Sequence, residues 1–330
     1  RDVLGSRGLG DVYKRQDMYL LEITEDKCYN KLVLGNKYHR KRRNCIMHNQ
    51  ETLLVVDGHN LLFQMFFGMP SRIFNQSGRA IHGTLGFIGA LNKIIQMVKP
   101  THAVVMFDGE HENDRKEILP SYKANRIDYS LVEEADNPFT QLPDIYRALD
   151  YMGIRHTEAS DFEADDTIAG YALTYGKDMK IVISSFDSDF FQLINSNVTV
   201  LRYRGENTIC CDTEYIRNKF HIFPGQYAEF KALVGDTADN IVGVKKIGKV
   251  TAGNLLNQFQ HLDNLYTHIS EVKSLSIQSR LLEEKDHIYE NIQLIRLTNR
   301  AKLPFRIEEL RYADRRYSTT QILKSVGVRD

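Results

Sequence analysis

The chain has 330 residues, 42% of them hydrophobic and 26% charged, a composition that suits one large globular domain or two modest ones. No apolar run approaches the roughly 18 residues needed to cross a membrane. The formal net charge of zero argues at first against a nucleic-acid partner, but an acidic pocket beside a basic rim gives the same total, so the rim has to be sought locally.

Residues 1–16 are rich in glycine and charge and lack helical or strand periodicity. With no apolar core they are not a secretory signal, and they read as translated material outside the fold. Residues 17–46 end in the basic run His39-Arg40-Lys41-Arg42-Arg43. A fold-like pattern begins after Met47, which is the expected native start; the alternative for the basic run is a nucleic-acid-binding arm. Residues 1–46 carry 11 Lys and Arg against 6 Asp and Glu, which leaves 32 against 37 and a mildly acidic remainder.

Leu53 to Val56 is a buried-strand run ending at Asp57-Gly58. His82 to Lys99 reads as a helix, with Leu85, Ile88, Leu91, Ile94, Ile95 and Val98 three and four apart and Pro100 closing it. Ala103 to Phe107 is a second strand, again ending in an acid and a glycine, Asp108-Gly109. Pro138 to Tyr151 reads as a helix, Ile154 to Thr157 as a strand, Glu163 to Tyr175 as a helix and Lys180 to Ser184 as a fourth strand. Val198 to Tyr203 and Asn207 to Cys211 form a further strand pair. Such alternation predicts an α/β fold with a mainly parallel sheet covered on both faces. After about residue 212 the strands stop, and helical patterns run to about Thr298. The cysteines, Cys28, Cys45, Cys210 and Cys211, lack metal-ligand spacing and read as free thiols.

Five segments carry acids: Asp57 after the first strand, Asp108 after the second, Glu163-Ala164-Asp165-Asp166, Asp187-Ser188-Asp189, and Asp236-Thr237-Ala238-Asp239. Taken singly, each has an ordinary explanation. Acids at a helix start are favoured by about 0.3–1 kcal/mol through the helix dipole, and an acid after a strand often forms a turn or caps a helix. Together they would converge on the carboxyl edge of the sheet, where ligands of open α/β sheets bind. Clustered carboxylates raise one another's pKa. Bound Mg²⁺ or Mn²⁺, hard cations that prefer oxygen, would relieve this, and two ions about 4 Å apart suit phosphodiester hydrolysis. His59 lies beside these acids, where a packed or turn-capping ring accounts for it better than a ligand does. No G-x-G-x-x-G follows the first strand, which excludes a dinucleotide-binding reading.

In order and approximate spacing, the five segments resemble the 5′-nuclease family: the N-terminal nuclease domain of bacterial DNA polymerase I, phage 5′ exonucleases and, more distantly, flap endonucleases. The resemblance runs from about Leu53 to about residue 300. It implies a PIN-like α/β domain over 47–212, with an arch around 113–140, and a helix–three-turn–helix region over 213–330, with a hairpin at 240–252 and a C-terminal tail. It also implies a structure-specific 5′-3′ exonuclease or flap endonuclease, hydrolysing DNA by a two-metal mechanism. One metal falls chiefly to Asp57, Asp108, Glu163 and Asp165 and the second to Asp187, Asp189 and Asp236, with Asp166 and Asp239 near the shell. The expected partners are DNA with 5′ ends, flaps or nicks, or RNA primers in RNA–DNA hybrids, met by a monomer in the bacterial cytoplasm. The chain ends at Asp330 without a polymerase or proofreading domain, so the expectation is a standalone nuclease. The alternatives are a catalytically weak DNA-junction-binding protein of the same fold, which the complete acid set opposes, and a PIN-type ribonuclease, which the added helical region opposes.

The arch supplies the cations in this resemblance. Lys123 and Arg126 would meet the scissile phosphate with Arg115, and Tyr122 would stack on a base. Asp114 stands where the family carries an aromatic residue. In the hairpin run Gly243-Val244-Lys245-Lys246-Ile247-Gly248-Lys249-Val250-Thr251-Ala252, the contact candidates are Gly243, Lys245, Lys246, Gly248, Lys249 and Thr251. Lys246 replaces the first of two family glycines and Val242 a proline. The resemblance also implies a K⁺ ion at this hairpin.

Overall fold

The computed structural model describes residues 51–109, 114–125, 127–160 and 162–329, so the expectations for residues 1–46 and for Arg126 lie outside the described residues. Six strands form one sheet: β1 (Thr52–Asp57), β2 (His102–Phe107), β3 (Arg155–Glu158), β4 (Lys180–Ser184), β5 (Val198–Arg202) and β6 (Ile209–Cys211). Their order is β3-β2-β1-β4-β5-β6, and all neighbours are parallel except β5 and β6. The order reverses between β1 and β4. In open α/β sheets this reversal is the point beyond which ligands bind at the carboxyl ends of the strands.

Residues 53–56 of β1 and 103–107 of β2 are apolar because both faces are covered. Leu54, Val56, Val105 and Phe107 point into one core, with Phe87, Ile88, Leu91 and Ile94 of the helix His82–Val98 and Ile145 and Leu149 of the helix Leu142–Met152. Leu53, Val55, Val104 and Met106 point into the other, with Ile168 and Tyr171 of the helix Ala164–Tyr175. Each fully buried side chain of this size contributes about 1.5–3 kcal/mol. The helix His82–Val98 stops where Lys99 turns left-handed (φ 51°) and Pro100 follows.

The helix Gly58–Gly68 has no counterpart in the sequence reading. It starts on the residue after β1, with Asp57 as its N-cap, so the short polar stretch Asp57-Gly58-His59-Asn60 hides a strand and a helix that follow each other with no turn between them. The region after Cys211 is helical: Thr213–Phe220, Tyr227–Val234, Lys249–Phe259, Leu262–Thr267, Leu275–Glu283 and Lys285–Ile295. It is not strandless, because β7 (Gly235–Asp236) pairs antiparallel with β8 (Ile241–Val242). A last helix, Thr319–Ser325, returns to the sheet domain, where Ile322 is fully buried in the same core as the helix His82–Val98.

Candidate metal centre

The acids are held by short hydrogen bonds at the carboxyl edge of the sheet. Asp57 accepts the Asn60 N–H through Oδ1 (3.1 Å) and the Ser185 hydroxyl through Oδ2 (2.7 Å). The same hydroxyl accepts the Asp187 N–H (2.9 Å), and Asp187 Oδ1 accepts the Asp189 N–H (2.8 Å), so the tip of β1 is tied to the turn beyond β4. Asp108 accepts the N–H of Ala164, the first residue of its helix, at 3.0 Å. The adjoining Gly109 is required, since a Cβ there would lie 2.0 Å from the Ala159 carbonyl oxygen. Asp236 ends β7, and Asp239 lies in the loop between β7 and β8. That loop is stitched to residues 121–123 by Lys123 N–H to Asp239 O (3.2 Å) and Asn240 Nδ2 to Ser121 O (3.0 Å).

Crowding shows in the protonation of the cluster. Burial, reinforced by Asp108, pushes Asp57 up to about 7. Burial also pushes Asp189 up to about 7, with Lys231 opposing and Asp187 and Asp239 adding to the shift. Asp165 is raised well above the usual carboxylate range by burial and then by Asp187, Asp57 and Asp108. Asp239 is raised by burial against the pull of Lys123. Three carboxyls are held low although burial works to raise them: Glu163 by Lys123 and Arg115, Asp236 by Lys231, and Asp108 by contacts that include His59 and the Ala164 N–H.

Asp57, Asp108, Glu163, Asp165, Asp187, Asp189, Asp236 and Asp239 are therefore brought to one edge of the sheet. Oxygens of Asp189, Asp236 and Asp239 all lie within 4.8 Å of one another. This donor set is all oxygen, crowded and anionic, and it fits a hard divalent cation. Asp166 is turned to Arg115 (2.9 Å), which also reaches Glu163 (2.5 Å), so it serves as the arginine's counter-charge at the back of the site. Lys123 pairs with Glu163 at 2.7 Å.

Tyr122 does not match its expected role. It is 3% exposed, packed into the core with its hydroxyl 3.4 Å from Glu163, and it offers no open face to a base. Lys245, Lys246 and Gly248, which follow β8, and Lys249, which opens the helix Lys249–Phe259, are exposed, and Thr251 is half-buried. Gly248 caps the helix Lys249–Phe259 with open space around it. Gly243 is needed for packing, because a Cβ there would lie 2.2 Å from the backbone of Val234. Lys246 adopts φ 71°, the left-handed geometry that favours glycine.

Sequence reasoning missed Lys231. It is buried on the helix Tyr227–Val234 and paired with both Asp189 and Asp236. The available signal was a lysine in a helix that is otherwise buried from Tyr227 to Leu233.

The comparisons with known proteins place this geometry in a family. The sequence model of the 5′-3′ exonuclease N-terminal resolvase-like domain matches residues 52–221, and that of the 5′-3′ exonuclease C-terminal SAM fold matches residues 222–318. The chain belongs to the 5′-3′ exonuclease family, the one its five acidic segments pointed to. DNA polymerase I of Borreliella burgdorferi is 32% identical over 254 residues (76% of this chain, 27% of that protein). DNA polymerase I of Bacillus subtilis is 30% identical over 285 residues (85% and 32%). The chain thus spans about a third or less of the curated relatives it matches. In fold it is similar to the T5 D15 protein co-crystallised with metal ions (TM-score 0.61, 21% identity, covering 75% of this chain and 90% of that one). It is also similar to the catalytic core of Rad2 in complex with DNA substrate (TM-score 0.52, 15% identity, covering 84% and 93%).

Proposed function

We propose that the chain is a structure-specific 5′ nuclease that hydrolyses DNA phosphodiesters at 5′ ends, flaps and nicks. RNA primers in hybrids fall within the same reach, and the protein acts as a monomer in the bacterial cytoplasm. The observation that carries this reading is the convergence of eight carboxylates from five segments on the carboxyl edge of the sheet, three of them with oxygens inside 4.8 Å. Asp57, Asp108, Glu163 and Asp165 would hold one Mg²⁺, and Asp187, Asp189, Asp236 and Asp239 a second, with Mn²⁺ able to substitute. When bound, such ions supply a hydroxide nucleophile and neutralise charge on the leaving 3′-oxygen.

The chain's own groups do the rest. Ser185 and Asn60 fix Asp57, and the start of the helix Ala164–Tyr175 fixes Asp108. Arg115 and Lys123 stand beside Glu163, where a cation offsets charge developing on a phosphoryl group. The lysines of the hairpin would grip the duplex backbone, and a K⁺ ion there would rest on carbonyls of the turn shaped by Lys246.

The test is cleavage of 5′-labelled flap, nicked and single-stranded DNA with Mg²⁺ or with EDTA. The reading expects cut products from the flap and nicked substrates with Mg²⁺ alone. Equal products with EDTA, or none with either Mg²⁺ or Mn²⁺, would contradict it.

A further inference from the structure

His59 sits in the first turn of the helix Gly58–Gly68, two residues from Asp57. Its Nδ1 is 3.1 Å from the backbone N–H of Asp108 and 3.5 Å from Asp108 Oδ2. The ring thus reaches from the tip of β1 to the tip of β2. Its Nε2 is fully buried and has no hydrogen-bond partner among the described residues. Aromatic rings enclose it: Phe139 with centroids 5.1 Å away, Phe107 at 5.4 Å and Phe63 at 6.4 Å, all edge-on. With Nδ1 engaged by Asp108 and Nε2 enclosed by these rings, the histidine is not a ligand itself.

A buried nitrogen without a partner is unfavourable, and an apolar side chain of similar size would fill the space without that cost. What the histidine supplies is its hold on Asp108. The Asp108 side chain is 42% exposed, and its carboxylate is steadied from the protein by the Ala164 N–H and the His59 ring. Nδ1 accepts the Asp108 N–H and lies against Oδ2, so one ring nitrogen touches both the backbone and the carboxylate of this residue.

We propose that His59 is a positioning residue of the metal centre: it fixes the Asp108 backbone and so sets the angle at which that carboxylate meets the metal. This rests on the metal-centre reading given under Proposed function. Groups that orient ligands typically alter metal affinity by about 10–100-fold.

The test is Mn²⁺ titration of the full chain without DNA, by calorimetry and electron paramagnetic resonance, with Tm measured in parallel. His59→Leu fills the volume and offers no acceptor. It is expected to weaken the Asp108-dependent Mn²⁺ site about tenfold while Tm holds or rises. His59→Asn places its amide oxygen near the position of Nδ1 and should restore affinity to within about threefold. His59→Gln, whose oxygen reaches instead toward the position of Nε2, should not restore it. Wild-type affinity in His59→Leu overturns the proposal. If that variant does not fold, equal affinity of the Asn and Gln variants overturns it instead. Asp108→Ala in the same titration separates the two readings. Unchanged Mn²⁺ binding there removes the metal reading and this proposal with it. A loss there beside wild-type affinity in His59→Leu removes this proposal alone.

Discussion

Lys231 and Tyr122 reverse the roles that residue type alone assigns them. A lysine with 8% of its side chain exposed is placed inside the acid cluster, where Asp189 and Asp236 take its charge. Removing one partner of a buried pair leaves the others uncompensated, at a cost of about 3–5 kcal/mol. Lys231→Met is therefore expected to lower Tm sharply in EDTA, and the loss should shrink when Mg²⁺ supplies positive charge instead. Equal losses with and without Mg²⁺ would contradict this. Tyr122, read from sequence as a base-stacking aromatic, is a core residue. Tyr122→Ala should cost about 3–5 kcal/mol of stability, as large-to-small core changes do, visible as a fall in the chemical-denaturation midpoint. A stacking residue would instead lose DNA affinity with stability intact. The acids themselves were legible because they stand at strand tips and a helix start. Lys231 was not, because its partners come from two other segments.

At the scale of elements, Gly243 and Lys246 make opposite demands on the backbone after β8. Gly243 cannot carry a side chain against Val234, so Gly243→Ala should destabilise and loosen β7 and β8. Lys246 is the opposite case, because it holds φ 71° where a glycine would be relaxed. Left-handed geometry costs a non-glycine about 1–2 kcal/mol, partly offset by the greater unfolded freedom of glycine. Lys246→Gly should therefore raise stability by up to about 1 kcal/mol. If this lysine meets a phosphate, the same change should reduce the slope of log K against log salt for duplex binding by about one. An unchanged slope would remove Lys246 from the duplex contact. Most strands and long helices were legible from periodicity, down to the full extent of Lys180–Ser184. The helix Gly58–Gly68 was not, since its cap is the last strand residue, and neither was the two-residue pairing of β7 with β8, which is too short to show a period.

For the whole molecule, the crowded acids make stability depend on pH in a definite direction. Asp57 and Asp189 keep protons up to about 7, and Asp165, Asp166 and Asp239 are also raised, with burial the leading cause in each. Asp108, Glu163 and Asp236 are held below the usual carboxylate range and work the other way. Burial of His82 and His102 lowers their pKa and also opposes the raised acids. Five raised carboxyls stand against two histidines, so between about pH 4 and 7 the folded chain binds more protons than the unfolded one and metal-free stability falls as pH rises. Thermal scans in EDTA should show Tm decreasing from about pH 5 to 8. The gain from Mg²⁺ should grow over the same range, as ligands shed protons to bind. A Tm in EDTA that climbs through this window would contradict the cluster's electrostatics.

The central claim is that carboxylates from separate segments form one metal-dependent hydrolytic centre. Its most direct test is single-turnover cleavage of a 5′-flap DNA in Mg²⁺ by wild type, Asp108→Ala and Asp187→Ala, beside duplex affinity measured in Ca²⁺. The account predicts that each substitution lowers the cleavage rate by at least about a thousandfold, the scale lost with groups acting as a unit, while affinity for the duplex changes by less than about threefold. Full Mg²⁺-dependent cleavage by either variant would contradict it.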